Sequence, residues 1–320
     1  MEDVLPLLVM DGRQSRHKHP RVSVGLPVRN GGQLIGCAIE SFLTQSFYDF
    51  ELIISDNAST DQTESICRQF AAQDERVRYF RWNTNRGASA NFNRVFDLAR
   101  GEYFKWAAHD DWCASDYLER CVETLDKDPT IVLCQSRARL YSENNELLGT
   151  FGYPSGLASA RPETRFRQIL WRTKYPFIFF GLIPSRLLAQ TKLLGRDTGS
   201  DRILLGELSL LGRIVEIPEP LFCSRQSFNE RVLRNRLWWS PDNRRRLTLR
   251  TWRLTQGFSS LLLDSQLSPM TRYELILEVL ARYGVRDAPR MGYDLLLAGR
   301  QLLSHHEFLE KSVRSSPAQN

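Results

Sequence analysis

Three short stretches carry side chains that could do chemistry. "SDNASTD" (55–61) sets two carboxylates, an amide and three hydroxyls directly behind the apolar run "FELII". "AAHDDW" (107–112) holds an imidazole and two adjacent carboxylates, Asp110 and Asp111. With no Lys or Arg inside that loop, the two acids repel each other unless a cation joins them. Oxygen ligands with at most one imidazole suit Mg2+ or Mn2+. "GSDRILLGELSLLG" (199–212) places Asp201 at a helix start and Glu207 mid-helix among leucines.

Each stretch also has a plain structural reading. Asp, Asn, Ser and Thr form turns and start helices. Ser59/Gln62 and Asp61/Glu64 both have capping-box spacing, so Ser59, Thr60 and Asp61 are read as helix-start residues and Asp56 as the ligand candidate. Ser115 is read as the cap of the next helix, which frees Asp110 and Asp111 from that duty. Asp201 can be a simple N-terminal cap, and Glu207 can serve a buried ion pair.

The elements that must position these loops alternate regularly. "RVSVGLPV" (21–28), "FELIIS" (50–55), "RVRYFRW" (76–82), "EYFKWAA" (102–108) and "TIVLCQSRARLY" (130–141) read as strands. Helices fall between them, at "QLIGCAIESFLTQ", "QTESICRQFAAQ", "ASANFNRVFDLAR" and "ASDYLERCVETLDKD". Strand–helix alternation over this length predicts βαβ units and a mostly parallel sheet flanked by helices. In such sheets ligands bind beyond the carboxyl ends of the strands, and "VRNGG", "SDNASTD" and "HDDW" all follow strands. Beyond Gly149 the alternation fades. Residues 150–165 read as a loop, "TRFRQILWRTKYP" as a helix and "FIFFGLIP" as a strand. "SRLLAQTKLLG" and "RDTGSDRILLGELSLLGR" read as helices, and "IVEIPEPLFCSR" as a strand pair or an extended strand.

Bulk properties narrow the class. The 320 residues are 42% hydrophobic and 25% charged, as in a globular protein. A net charge of +6 suits an anionic partner such as a phosphate ligand or an acidic membrane surface. Six cysteines without a CxxC pair and five histidines without ligand spacing argue against zinc and for reduced core thiols. The first twenty residues resemble neither a secretory signal nor a span, and "YPFIFFGLIPSRLL" is too short and too interrupted to cross a bilayer. The expected location is therefore cytoplasmic, with peripheral association at the inner membrane surface left open. No motif supports nucleic-acid binding. A dinucleotide fold needs G-x-G-x-x-G after the first strand, whereas "PVRNGGQLIG" has adjacent glycines. Only Asp56, as a ribose-binding acid, speaks for an NAD-dependent dehydrogenase.

The blocks "VSVGLPVRNGG", "SFLTQSFYDFELIISDNASTDQT", "NRGASANFN", "GEYFKWAAHDDWCASDYLE" and "GSDRILLGELSLLG", in this order and spacing, resemble the family-2 inverting glycosyltransferases of GT-A fold. The resemblance covers roughly 22–225. It implies a nucleotide-sugar donor and a glycan, lipid-linked or small-molecule acceptor. It also implies that Pro27, Val28 and Asn30 wall the base and ribose, and that Asp56 accepts from a uracil-type imide N–H. Asn85, Arg86 and Gly87 would lie near the donor, with Arg86 at the diphosphate. Aligned on the family's D-x-D motif, Ala108 stands at the first Asp position and His109 in the middle. Asp110 then becomes the metal carboxylate, with Asp111 beside it, holding Mn2+ or Mg2+. The missing first Asp removes a ribose contact, for which His109 or water would substitute. The general base falls to Asp201, with Glu207 second. Relatives often carry a His near "FCSRQSFNE"; here Arg225 would supply positive charge alone.

The resulting organisation is an N-terminal arm over 1–20, a GT-A domain over 21–228 and a helical C-terminal region over 229–320. The domain divides into a nucleotide-sugar half (21–140) and an acceptor-side half (141–228). The arginines of the C-terminal region, with Trp238, Trp239 and Trp252, fit plain helical packing, a lipid-facing helix, an acceptor lid or a homodimer interface. The rival functions are a binding protein of the same fold without turnover, and the dehydrogenase.

Overall fold

The computed structural model describes residues 19–172, 176–195, 199–226 and 249–290. The expected arm over 1–20, apart from His19 and Pro20, lies outside the described residues, as do Trp238 and Trp239.

The chain opens with β1 (Val22–Val28), α1 (Leu34–Leu43), β2 (Phe50–Asp56), α2 (Thr63–Gln73) and β3 (Val77–Arg81). It continues through α3 (Ala88–Asp97), β4 (Tyr103–Trp106), β5 (Trp112–Cys113) and α4 (Tyr117–Lys127). Then come β6 (Ile131–Tyr141), β7 (Leu147–Phe151), α5 (Pro162–Arg167), β8 (Leu182–Pro184), α6 (Ser185–Leu188), α7 (Ser200–Leu211) and β9 (Arg213–Arg225). Two further helices follow, α8 (Arg250–Leu263) and α9 (Pro269–Leu280). Among the described residues the strands form one sheet in the order β3-β2-β1-β4-β8-β6-β9-β5, with β7 against β6. The β3-β2-β1-β4 half is parallel throughout. The second half mixes parallel β6–β9 with antiparallel β4–β8, β6–β8, β6–β7 and β5–β9 pairs.

Period-two alternation explains why both faces are covered. Leu52 and Ile54 point into one core with Ile35, Ile39 and Phe42 of α1 and Leu118 and Cys121 of α4. Ile53 points into the other, with Phe92 and Val95 of α3 and Leu204, Leu205 and Leu208 of α7. The C-terminal helices share this second core through Leu254, Phe258, Leu262 and Val279. α9 begins at Pro269 behind Ser268, whose hydroxyl accepts from the Thr271 N–H at 3.2 Å, the expected chemistry of a helix start.

Several expected elements differ. "FIFFGLIP" becomes a 3-10 turn over Pro176–Phe180 followed by three strand residues. A short apolar run cannot be assigned by periodicity alone, and here only Leu182–Pro184 finds partners, β4 and β6. "SRLLAQTKLLG" keeps a single helical turn. The loop over 150–165 holds the end of β7 and the start of α5. α4 starts behind Asp116 with no side-chain cap, and the Ser115 carbonyl instead accepts the Ser46 N–H at 2.7 Å. All six cysteines are unpaired; five are buried and Cys37 is exposed. Among the described residues no helix is long and apolar enough to cross a membrane.

Gly25, mid-β1, lets α3 approach the sheet. A β-carbon there would lie 2.6 Å from Val95 Cγ2 and 2.8 Å from Phe104 Cζ. Gly25→Ala should therefore lower stability by about 1–3 kcal/mol through overpacking, read as a lower urea midpoint; an unchanged midpoint would show that α3 is not held this tightly.

Candidate active site

The parallel register aligns the ends of three strands. Val28 pairs with Asp56 across β1–β2, Gly25 with Trp106 across β1–β4, and Asp56 with Arg81 across β2–β3. The loops after β1, β2, β3 and β4 consequently emerge along one edge, and they are laced together there. The Asn30 N–H donates to Ser59 Oγ at 2.9 Å, the Gly31 N–H to Thr63 Oγ1 at 2.8 Å and the Gly32 N–H to Asp61 Oδ2 at 2.9 Å. In return Asn30 Oδ1 accepts the Thr60 N–H at 2.9 Å. Asn30 (φ 54°) and Gly32 (φ 53°) adopt left-handed backbone, which Asn and Gly tolerate best. Ser59 therefore serves the neighbouring loop rather than capping α2, whereas Asp61 keeps its helix-start role as well, its Oδ1 accepting the Thr63 N–H at 3.1 Å. Although burial works the other way, donors from Thr63 and Gly32 hold the Asp61 carboxyl below the usual carboxylate range.

Asp56 is wholly buried. Its Oδ1 accepts the Ser59 N–H at 2.8 Å, and its Oδ2 accepts from the Tyr79 hydroxyl at 2.7 Å and from Arg81 Nη1 at 2.8 Å. Arg81 also donates to the Ser59 carbonyl at 2.9 Å. Burial and the neighbouring carboxylate push the Tyr79 phenol above its ordinary range. Tyr79 and Arg81 were not among the expected site residues. Their two-residue spacing in "RVRYFRW" sets them on one face of β3, but only the Asp56–Arg81 register brings them to Asp56.

The loop after β3 is held by an amide relay. Asn57 Nδ2 donates to Asn85 Oδ1 at 2.9 Å, the Arg86 N–H to Asn57 Oδ1 at 2.8 Å and the Gly87 N–H to Asn85 Oδ1 at 2.9 Å. Gly87 needs its left-handed φ of 86° to turn the chain into α3. The Arg94 and Arg86 guanidiniums stand 3.9 Å and 5.5 Å from the Trp82 ring. Pro27 and Val28 are both buried, so they lie beneath the loop edge.

On the far side of β1, His109 faces the same loop: a β-carbon on Gly31 would come within 3.4 Å of its Cδ2. Asp110 and His109 are half-buried, whereas Asp111 is buried with Oδ1 accepting the Arg225 N–H at 3.1 Å. The β5–β9 pair brings Arg225 there, its guanidinium 5.5 Å from the Trp112 ring. Among the described residues no three His, Cys, Asp or Glu side chains gather closely enough to hold a metal by themselves. The donor set of half-exposed Asp110 beside His109 fits a divalent cation only if a ligand's oxygens complete the shell.

Asp201 lies in the first turn of α7, behind Gly199 (φ 96°). Burial pushes its carboxyl above the usual range, and backbone N–H groups of Arg202 and Asp201 with the Arg250 and Arg202 cations pull it back. The start of α7 lies beside α3, because Ser89 Oγ donates to the Gly195 carbonyl at 2.6 Å and Asn93 Nδ2 to the Leu194 carbonyl at 3.0 Å, and a β-carbon on Gly195 would lie 3.7 Å from Ser200 Cβ. Glu207 turns elsewhere and accepts the Lys192 N–H at 3.3 Å. Burial raises its pKa too.

Residues 23–187 match the family described as Glycosyl transferase family 2. The GalNAc(5)-diNAcBac-PP-undecaprenol beta-1,3-glucosyltransferase of Campylobacter jejuni is 34% identical over 105 residues, 32% of this chain and 34% of the relative. The chain spans between 33% and 40% of the length of the first curated relatives it matches. Among solved structures, S. aureus TarS 1–349 in complex with UDP-GlcNAc superposes with a TM-score of 0.63 at 17% identity, covering 82% of this chain and 72% of that one. The mannosyltransferase PcManGT of Pyrobaculum calidifontis, in complex with GDP-Man and Mn2+, gives 0.57 at 20% identity, covering 90% and 76%. At such identities the structural likeness speaks to the fold alone, and it bears out the expected GT-A type.

Removing the Arg81 cation leaves a buried carboxylate one donor short. Arg81→Met should cost about 2–3 kcal/mol and Tyr79→Phe about 1 kcal/mol in urea unfolding; negligible losses in both would mean Asp56 does not depend on this pair.

Proposed function

The chain belongs to glycosyl transferase family 2, and from that premise we propose that it transfers a sugar from a nucleotide-diphosphate sugar, a UDP-sugar in the first instance, with inversion. The acceptor is a glycan, a lipid-linked intermediate or a small metabolite. The observation that carries this reading is the shared edge: the loop ends bearing Asp56, Asn85–Gly87, Asp110 and Arg225 lie along one side of the sheet, with Asp201 tied to the same side through Ser89.

In this reading the base of the donor lies against the β1–β2 edge at Asn30 and Asp56. Because Asp56 is wholly buried and both its oxygens already accept bonds, a base would reach the carboxylate only with movement of the partly exposed Arg81 bonded to it, and Arg81 belongs to the same subsite. Pro27 and Val28 support that subsite from below. Asn85, Arg86, Gly87 and Arg225 line the diphosphate side. Asp110, with His109 or Asp111, would hold Mn2+ or Mg2+, which neutralises charge developing on the leaving diphosphate. The acceptor hydroxyl oxygen attacks the anomeric carbon as its proton passes to Asp201 and the bond to the diphosphate breaks. Glu207 stays the second candidate for that proton, though its bond to Lys192 favours Asp201. Residues 21–228 form the transferase unit, working in the cytoplasm or against the inner membrane surface.

Asp110→Asn should weaken Mn2+-dependent UDP binding by about tenfold or more, while Asp201→Asn keeps binding and loses roughly 10²–10⁴-fold in kcat. Full activity in both variants overturns the roles, and metal-dependent UDP binding without transfer to any of a broad acceptor panel favours a binding protein.

The raised pKa of Asp201 has a pH consequence. Protonation silences a base, so kcat should fall below an acid limb lying above the ordinary carboxylate value of about 3.9. Arg250→Gln removes a cation that favours the ionised form and should move that limb to higher pH; a limb that stays put separates Arg250 from Asp201.

A further inference from the structure

The two faces of β3 carry different partners. Tyr79 and Arg81 turn toward Asp56, whereas Arg78, Phe80 and Trp82 share the other face and meet α3. Cations and rings alternate there. The Arg78 guanidinium stands 5.2 Å from the centre of the Phe80 ring, and Arg94 of α3 lies 5.9 Å from Phe80 and 3.9 Å from Trp82. Arg86 stands 5.5 Å from that same Trp82 ring. Glu51 neutralises Arg78. Arg94 and Arg86 pair with no carboxylate among the described residues, and Arg94 reaches only Ser55 Oγ, at 3.5 Å. Burial lowers the Arg94 pKa. Two cations sharing one ring repel each other unless an anion compensates them. Of the two, Arg86 is the exposed one.

The register of β2 with β3 places the shared ring. The Trp82 N–H donates to the Asp56 carbonyl at 2.8 Å, one residue past the Asp56–Arg81 pair. Its indole N–H is buried without a hydrogen-bond partner among the described residues, so the side chain offers its ring faces and no hydrogen bond. Asn57 fixes the Arg86 backbone, whose N–H it accepts at 2.8 Å. Among the described residues the Trp82 ring alone steadies the long Arg86 side chain. We propose that Trp82, clamped by Arg94, is a positioning residue that aims the Arg86 guanidinium at the diphosphate of the nucleotide-sugar. This deepens the transferase reading and rests on its assignment of Arg86 to that diphosphate. A free arginine loses rotamer freedom when it closes on a ligand. One already stacked on an indole, the best ring partner of a cation, loses less and binds the tighter for it.

The test is a double-mutant cycle read by calorimetric titration of UDP, with Mn2+ present, into the full chain. Arg86→Ala should weaken UDP binding roughly tenfold, and Trp82→Leu about three- to fivefold. Trp82→Phe keeps a ring and should stay within about twofold of the unaltered chain. In the Arg86→Ala background Trp82→Leu should cost no further affinity, because a residue acting through Arg86 has nothing left to aim. Melting temperatures taken in parallel report the packing lost with the ring, which Trp82→Leu loses in either background. An equal loss of UDP affinity in both backgrounds gives Trp82 a purely structural role and overturns the proposal. So does UDP binding unchanged by Trp82→Leu or by Arg86→Ala, or a loss in Trp82→Phe as large as in Trp82→Leu. An unaltered chain that binds no UDP brings down the donor reading and this one with it, whereas the other failures arise only where UDP binds and leave that reading standing.

Discussion

The parallel pairing of β1 with both β2 and β4 is the constraint on which the rest depends. Parallel strands need a crossover to return the chain, so each strand's carboxyl end faces the same way. Loops distant in sequence thereby meet at one edge, within hydrogen-bond reach of each other. The bonds from Asn30, Gly31 and Gly32 to Ser59, Thr63 and Asp61 exist only because the Val28–Asp56 register sets those two loops side by side.

Burying a carboxylate at such an edge is costly unless donors replace its water. Asp56 receives three, one of them cationic. The same three bonds hold the carboxylate in one position. The Asn57–Asn85 relay does this for the loop after β3 with neutral groups, without the desolvation penalty of a second buried charge.

The second half of the sheet is attached differently. Lys105 of β4 is wholly buried; its ammonium donates to the Phe180 carbonyl and stands 4.7 Å and 5.3 Å from the Tyr117 and Phe222 rings. Burial lowers its pKa, while the carbonyl and ring faces favour its charge. One strand residue thus fastens the parallel half to the turn before β8 and to β9. On the opposite face, α8 and α9 complete the core that α7 needs, and α7 carries Asp201.

The order of βαβ units, the loops that follow strands, and the placement of Asp56 at a strand end, Asp110 in a loop and Asp201 at a helix start were legible in the sequence. Periodicity and turn chemistry act over a few residues, and those are local signals. Only the tertiary structure decided what the side chains between those landmarks do. Ser59 and Asp61 hold a neighbouring loop; Arg81 and Tyr79 clasp Asp56; Arg225 sits beside Asp111; and an apolar run resolves into a turn and three strand residues. Each outcome depends on register between strands far apart in the chain, because a hydrogen bond forms where partners meet in space, and no local pattern encodes that meeting.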